Sequence, residues 1–172
     1  SVKTMKGFDF LALDTVVNLH TPEIVALRPE WSGKFHQEKF GRDASVLTGY
    51  TSEKMIEMML NAGTDHAFLV AHKTGQLGLQ GSWHLPYNHV AEAVSNHPKR
   101  FHGLAGVDPT EGMDGVRQLE YAIKELGFVG AHAYPHWFEL PADNARWYPF
   151  YAKCVELNVP FLLQVGQSLV YD

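Results

Sequence analysis

The stretch that decides the fold is residues 103–133, GLAGVDPTEGMDGVRQLEYAIKELGFVGAHA. It begins with an apolar run of strand length at 103–107 and ends with another at 128–133. Between them, apolar residues within 114–126 recur at three- and four-residue spacing, which predicts a helix, and Gly127 is suited to end that helix. Both apolar runs are continuous rather than alternating, as is typical of parallel strands covered on both faces. The stretch therefore predicts a strand–helix–strand unit.

The same alternation extends over most of the chain. Further apolar runs lie at residues 10–17, 67–71 and 160–165, and further helical patterns lie at 52–61, 88–96 and about 144–157. Such an order builds either an open doubly wound sheet or a closed barrel. No glycine-rich phosphate loop follows a strand in the sequence, which favours the barrel. We predict an α/β fold of the (β/α)8 TIM-barrel type, with only the first five β/α units present in this chain.

The domain organisation follows from the length. We predict a single domain over residues 1–172, with a long loop insertion at about 21–50 that is rich in proline and glycine. A complete barrel takes about 250 residues, so three strands are missing. An open arc would leave an apolar strand edge unpaired. We expect either a fragment of a longer chain, or a second polypeptide or symmetry mate that completes the barrel.

The composition of the chain argues against several classes of binding partner. The net charge is −5 and no run of lysine and arginine is present, which argues against nucleic acid. Cys154 is the single cysteine, so the sequence predicts no disulfide framework and no thiolate zinc cluster, and we expect a buried, inert thiol. The apolar stretch at 8–17 is short and is broken by Asp9 and Asp14, which does not suit a signal peptide or a membrane span. We expect a cytoplasmic homo-oligomer with no membrane partner.

Polar side chains follow the predicted strands, where the chemistry of a barrel is normally located. A histidine can take and give a proton near neutral pH, and an aspartate at a strand end can assist it. Trp137 follows strand four directly and is suited to wall a flat substrate pocket. The predicted catalytic residues are His132, His136 and Asp108, and the predicted substrate-binding residues are Asn18, His20, His72, Tyr134, Trp137 and Gln164. The alternative is that each histidine is packed or solvated, and that Asp108 only accepts backbone hydrogen bonds in its Val-Asp-Pro turn.

Several segments together resemble a known family. These are Leu13-Asp14, Thr21-Pro22-Glu23, HPKRF at 97–101 running into GLAGVDP at 103–109, and GFVGAH at 127–132. They resemble the branch of the amidohydrolase superfamily that contains the amino-carboxymuconate-semialdehyde and γ-resorcylate decarboxylases. The resemblance implies a (β/α)8 barrel that decarboxylates, hydrates or hydrolyses small cyclic or unsaturated carboxylates. Members of the branch usually use one divalent metal.

The metal positions of that family are altered here. The family pattern at strand one is D-x-H-x-H, and a gapless match from Asp14 places Val16 and Asn18 on the two histidine positions. Gln164 stands where the family has another histidine ligand, at the end of strand five. An amide oxygen is a poor substitute for imidazole at zinc, and valine offers no ligand. We therefore predict no metal ligands and no cofactor.

The resulting prediction is a hydrolase or carbon–carbon lyase, such as a decarboxylase, that acts on a small-molecule carboxylate without the usual metal. His132 or His136 would serve as general acid and base, while Asn18, Tyr134 and Gln164 position the substrate. One alternative is a metal-dependent hydrolase or decarboxylase with unusual ligands. Another is a catalytically inactive barrel that serves as a binding or assembly module.

Overall fold

A computed structural model of the chain describes residues 3–5, 8–10, 13–34 and 47–165. The strands are β1 Lys3–Met5, β2 Phe8–Phe10, β3 Leu13–Val17, β4 His66–Ala71, β5 Lys73–Thr74, β6 Trp83–His84, β7 Phe101–Gly106, β8 Gly130–Ala133 and β9 Phe161–Leu163. The α-helices are α1 Pro22–Leu27, α2 Ser52–Asn61, α3 Tyr87–Asn96, α4 Gly112–Lys124 and α5 Tyr148–Leu157. Short 3-10 helices lie at Pro109–Glu111, Pro135–Phe138 and Ala145–Trp147.

The main sheet has five strands in the order β3-β4-β7-β8-β9. Strand β3 pairs in parallel with β4, β7 with β8, and β8 with β9. Helices α2, α3, α4 and α5 lie between successive strands of this sheet in the sequence. Neighbours in the sheet are thus also successive strands, which is the order that starts a (β/α)8 barrel. The predicted fold class is therefore confirmed.

The chain divides into two compact units, residues 1–69 with 92–102, and residues 70–91 with 103–172. In the first unit, Leu13 of β3 pairs with His66 of β4. The helix α2 begins at the predicted residue, because the Thr51 side chain accepts a hydrogen bond from the Lys54 backbone N–H and caps it. The proposal that residues 1–172 form a single domain stays a prediction.

Part of the predicted loop insertion is helical. Helix α1 occupies Pro22–Leu27 and buries Ile24, and residues 30–34 are also helical. Pro22 is at the first turn of α1, where its fixed φ suits a helix and its missing N–H costs nothing. Residues 35–46 of the predicted insertion lie outside the described residues.

In the second unit, α4 buries part of the apolar stripe that the sequence predicted at 114–126, and α5 also has a buried face. The buried face of α4 includes Val116, Leu119 and Ala122, and α5 buries Phe150 and Cys154. The prediction of a buried thiol is thus confirmed, and burial raises the pKa of Cys154 to about 11. None of the described helices combines the length and the apolar character needed to cross a membrane.

Two features of the second unit set where its helices end and how closely its strands approach each other. Gly127 after α4 and Asn158 after α5 have φ of +70° and +54°, the left-handed conformation that ends a helix before the next strand. At Gly106, the last residue of β7, a Cβ atom would lie only 2.1 Å from the Ala71 carbonyl oxygen. The absence of a side chain at Gly106 therefore lets the two backbones come into direct contact.

Candidate active site

The end of β8 carries a row of ring side chains. The ring centroids of His132 and Tyr134 lie 4.5 Å apart, and those of Tyr134 and His136 lie 5.9 Å apart. The rings of His136 and Trp137 follow at 6.4 Å, within the 3-10 helix Pro135–Phe138. Side chains two apart along an extended chain share a face, which explains the contact between His132 and Tyr134. The structure thus brings four residues of the predicted site into one row.

His132 is shielded from solvent, with 0% of its surface exposed. Its Nε2 lies 2.9 Å from Oε1 of Gln164, so in the tautomer that satisfies this bond Nε2–H donates to the amide oxygen. The other ring nitrogen, Nδ1, is buried and has no hydrogen-bond partner among the described residues. Burial lowers the pKa of His132 and outweighs the opposing effect of the bond to Gln164, which keeps the ring neutral near pH 7.

Tyr134 lies directly beside this imidazole. Burial raises the pKa of its phenol, so the hydroxyl group stays protonated at all physiological pH values. A protonated phenol both donates and accepts hydrogen bonds. Tyr134 therefore offers an uncharged donor next to a neutral histidine.

Asp108 follows β7 and belongs to a second group, with His84 of β6 and Glu111 of the 3-10 helix Pro109–Glu111. One ligand atom from each of these three residues lies within 4.8 Å of the other two. His84 Nε2 is 3.3 Å from Asp108 Oδ2 and 2.9 Å from the Gly75 carbonyl oxygen. An imidazole with two carboxylates is a donor set that suits Mn²⁺ or Zn²⁺. The group therefore fits a divalent metal, which would replace the hydrogen bonds now made by His84 Nε2.

The Asp108 carboxylate is ionised in the folded protein. Burial by itself raises its pKa, but hydrogen bonds from His84 and Thr110 outweigh burial, so the pKa lies below its usual value. Thr110 donates to Oδ1 from its backbone N–H at 2.8 Å and from its hydroxyl at 2.6 Å. As the sequence alternative expected, Asp108 does accept a backbone hydrogen bond in its turn, and it also has the contact with His84.

Glu111 is held by a buried cation. Lys73, only 5% exposed, places Nζ 2.5 Å from Glu111 Oε1 and 2.9 Å from Gln118 Oε1. The Gln118 amide donates in turn to Glu111 Oε2 at 2.9 Å. Nζ also lies 5.1 Å from the centre of the Tyr87 ring. These contacts fix the position of the Glu111 carboxylate near Asp108 and His84.

The remaining predicted residues are placed as follows. His72 directly follows β4, is buried, and has its ring 4.8 Å from that of Trp83. Asn18 and His20 belong to the first unit, where Asn18 is exposed and His20 is buried. His20 Nδ1 lies 2.8 Å from Nη1 of Arg28, so His20 already has a strong donor.

Sequence comparison assigns the family. The sequence profile of the Amidohydrolase family matches residues 79–171, more than half of the chain. The chain belongs to the amidohydrolase family. The matched range of this amidohydrolase-family chain contains β7, β8 and β9. It also contains the row of rings at the end of β8 and the group His84, Asp108 and Glu111.

Individual relatives are named enzymes. The chain is 34% identical over 89 residues to the 2-keto-4-carboxy-3-hexenedioate hydratase of a Sphingobium species, which covers 47% of this chain and 26% of the hydratase. It is 34% identical over 93 residues to the gamma-resorcylate decarboxylase of a Polaromonas species, which covers 48% of this chain and 27% of the decarboxylase. The resemblance to this branch is therefore confirmed.

A solved structure shares the fold. A point variant of 5-carboxyvanillate decarboxylase from Novosphingobium aromaticivorans, crystallised with manganese and a methoxy-hydroxy-nitrobenzoic acid, aligns with a TM-score of 0.63 at 19% identity. The alignment covers 94% of this chain and 52% of that one. This amidohydrolase-family chain thus spans about half the length of that enzyme.

The prediction that no metal ligands are present is wrong. It considered only the positions where the family normally has histidine, namely Val16, Asn18 and Gln164. The structure instead brings His84, Asp108 and Glu111 together, and a decarboxylase of the same fold was crystallised with manganese. The physical reason for the error is that ligands need not come from strands one and five, because a hairpin and a turn can also place them.

Sequence analysis missed His84, Glu111 and Lys73. A signal for Glu111 was present, because Asp108 and Glu111 are three apart and a 3-10 helix has three residues per turn, which places both on one side. His84 lies in a two-residue strand paired antiparallel with Lys73 and Thr74. Strands of that length show no hydrophobic period, so their pairing is not visible in the sequence.

Proposed function

We propose that the protein that contains this chain is a metal-dependent decarboxylase or hydratase acting on a small aromatic or unsaturated carboxylate. The observation that carries the proposal is the buried imidazole of His132, which has one nitrogen bonded to Gln164 and an open acceptor at the other. The identity to a hydratase and a decarboxylase supports the reaction class. A buried polar atom left without a partner is costly, and such atoms often have a catalytic purpose.

His84, Asp108 and Glu111 would hold the metal ion. A divalent ion bound there would polarise an oxygen of the substrate and stabilise the negative charge that develops in the reaction. Asp108 suits this role because its carboxylate is buried and ionised, and Glu111 because Lys73 and Gln118 fix its orientation. Asp108 therefore acts as a ligand in this proposal rather than as a proton carrier.

His132 would move the proton. In decarboxylation the bond to the carboxyl carbon breaks, carbon dioxide leaves, and the remaining carbon takes up a proton. In hydration a water molecule loses a proton as its oxygen adds to one carbon of a double bond, and the other carbon takes up a proton. A neutral imidazole with an open Nδ1 can accept a proton there, from the adding water in hydration or from solvent in decarboxylation, and pass it to the carbon. The bond from Nε2 to Gln164 fixes the tautomer. His136 lies next in the row and is the second proposed acid and base.

The substrate-binding residues stay proposals. Tyr134 would donate a hydrogen bond to a substrate oxygen, because its hydroxyl group stays protonated. Trp137 would pack against the substrate ring. Asn18, His20 and His72 stay proposed as substrate-binding residues, each within its own unit. A cytoplasmic location and a homo-oligomer, or a second segment that completes the barrel, are further parts of the proposal. A single cysteine without a disulfide partner supports a reducing compartment.

The test uses the full-length protein loaded with Mn²⁺. Carbon dioxide release from a panel of hydroxybenzoates, and loss of ultraviolet absorbance from unsaturated dicarboxylates, would be measured for the wild type and for His132→Asn. Loss of a positioned proton carrier typically reduces the rate by roughly 10²- to 10⁴-fold. Activity that is unchanged in His132→Asn would contradict the role of this residue. No turnover of any panel member by a metal-loaded, folded protein would favour a binding module instead.

A further inference from the structure

His20 is a buried residue of the first unit that lies just beyond Val17, the last residue of β3. The Tyr50 backbone N–H donates to the His20 carbonyl oxygen at 2.9 Å, and the centroids of the two rings lie 5.3 Å apart. Gly49 has a φ of +79°, and a Cβ atom there would lie 2.6 Å from the same carbonyl oxygen. The backbone of His20 is therefore fixed between β3 and the segment that precedes α2.

The His20 ring is held by Arg28, the residue that directly follows α1. Nη1 of Arg28 lies 2.8 Å from Nδ1 of His20, and Nη2 donates to the Leu19 carbonyl oxygen at 2.9 Å. A guanidinium has five N–H donors and no acceptor, and it stays protonated in proteins. Arg28 must therefore be the donor in the contact with His20, and Nδ1 must offer its lone pair.

This donor decides where the His20 ring carries its hydrogen. A neutral imidazole has one N–H and one lone pair, so an accepting Nδ1 leaves the hydrogen on Nε2. In the opposite tautomer, and equally in the doubly protonated ring, two N–H groups would face each other across 2.8 Å. Such an arrangement would leave donors unsatisfied at a buried position, which is costly. The contact with Arg28 therefore selects the neutral ring with its hydrogen on Nε2.

A histidine in this state can donate a hydrogen bond but has no lone pair left for other chemistry. Its Nε2–H can bind an acceptor oxygen, whereas taking up a proton or binding a metal ion requires an available lone pair. His132 is the opposite case, because its Nδ1 has no hydrogen-bond partner among the described residues. In His20 the corresponding lone pair is occupied by Arg28. The two histidines are thus suited to different tasks.

We propose that Arg28 is a positioning residue that fixes His20 as a hydrogen-bond donor, so that His20 binds an acceptor oxygen of the substrate and serves neither as a proton carrier nor as a metal ligand. The link to the substrate rests on the proposed function and deepens it, because it states which atom of His20 acts and in which direction the hydrogen bond runs. The tautomer itself rests only on the contact between Arg28 and His20.

The first arm of the test reads the tautomer by nitrogen-15 NMR on the full-length protein. The wild-type His20 ring should be protonated at Nε2 only, with a coupling across the hydrogen bond between its Nδ1 and Nη1 of Arg28. Arg28→Met should abolish this coupling and partly populate the Nδ1–H tautomer, while Arg28→Lys, which keeps a donor, should retain most of the wild-type pattern. Arg100→Met is the matched control, because Arg100 is also half-buried in the first unit but donates to the Asp65 carbonyl oxygen. It should leave the His20 signals unchanged.

The second arm measures Mn²⁺ affinity and steady-state kinetics with a substrate that the protein turns over. His20→Gln should leave Mn²⁺ affinity unchanged, because His20 is not a ligand. Both His20→Gln and Arg28→Met should raise KM several-fold with little change in kcat, as expected for the loss of a binding contact, and Arg28→Lys should recover most of the loss.

Three outcomes would overturn the inference. They are a wild-type His20 ring that is protonated at Nδ1, loss of Mn²⁺ binding in His20→Gln, and an unchanged KM in both His20→Gln and Arg28→Met. The wild-type spectrum needs no variant, so it decides the tautomer even where Arg28→Met folds poorly. The expected tautomer in a metal-loaded protein that turns over no substrate would refute the proposed function alone.

Discussion

Nε2 of His132 lies 2.9 Å from Oε1 of Gln164, and this hydrogen bond joins the carboxyl ends of the neighbouring strands β8 and β9. The backbone repeats the link, because the Gln164 N–H donates to the Ala133 carbonyl oxygen at 2.9 Å. Gln164 therefore has a definite partner in this structure, at the position where the resemblance to the family predicts a metal-binding histidine. It orients an imidazole instead.

Replacing Gln164 by leucine should destabilise the fold. The change leaves the buried Nε2–H of His132 without an acceptor, which costs about 1–3 kcal/mol. Urea unfolding followed by circular dichroism measures the free energy of unfolding. Gln80→Leu, at an exposed position, is the control and should change it little. An equal effect of the two substitutions would show that the His132–Gln164 bond contributes nothing special.

The stability of the protein should fall as the pH drops below about 6.5, partly because of His132. Burial lowers the pKa of this ring in the folded state, so between its folded pKa and about 6.5 the unfolded chain binds more protons than the folded one. The protein loses stability as the pH falls through this range, and the loss is complete once the pH is below the pKa of the folded state. His102, whose pKa is also lowered by burial, contributes in the same direction.

The comparison that isolates His132 is the difference in unfolding free energy between the wild type and His132→Asn, measured from pH 5 to pH 8. This difference should shrink as the pH falls. Only the wild type has the His132 imidazole, which takes up a proton more readily in the unfolded chain than in the folded one and so favours unfolding. A difference that is constant across this range would contradict the lowered pKa.

Metal binding should depend on the carboxylates of the candidate ligand group. Glu111→Gln should weaken Mn²⁺ binding at least tenfold, as even loss of an outer partner of a ligand often does. Equilibrium dialysis with metal analysis measures the affinity. Asp114→Asn is the matched control, because Asp114 is three residues away and its side chain is 78% exposed beside Arg117. Unchanged binding in Glu111→Gln would place the metal elsewhere in the protein.

Gly106→Ala should destabilise the second unit strongly. The new Cβ would lie 2.1 Å from the Ala71 carbonyl oxygen and 2.9 Å from the backbone nitrogen of Lys73, so the backbone must shift. Overpacking of this kind typically costs about 1–3 kcal/mol or more. Gly33→Ala is the opposite control, because Gly33 is helical and a Cβ there meets nothing within 4 Å. Alanine at position 33 should be neutral or stabilising, and thermal unfolding compares the two variants.

Most of the fold was predictable because the strands of the main sheet are continuous apolar runs and the helices have clear ends. Helix α2 has the predicted bounds Ser52–Asn61, since Thr51 caps it and Gly63 follows with a φ of +81°. Helix α1 was missed because six residues are too few to establish a helical period. The hairpin of β5 and β6 was missed for the same reason, as each strand has two residues.

The candidate site was predictable only where it follows a strand of the main sheet. His132, Tyr134, Asp108 and Gln164 were predicted in this way, because a polar side chain at the end of a buried strand needs a partner. Their roles stay predictions. His84 was not found, since its place beside Asp108 depends on a hairpin that carries no periodic signal. Lys73 was not found either, because its ion pair with Glu111 joins two residues that lie 38 apart in the sequence.

The conformation of the loop at residues 75–82, between β5 and β6, is determined by its backbone rather than by its side chains. Its three left-handed glycines, at positions 75, 78 and 81, set the course of the chain, while Gln76, Leu77, Leu79 and Gln80 between them are exposed. Those four positions can therefore be exchanged with little cost to folding, whereas the three glycines between and beside them cannot.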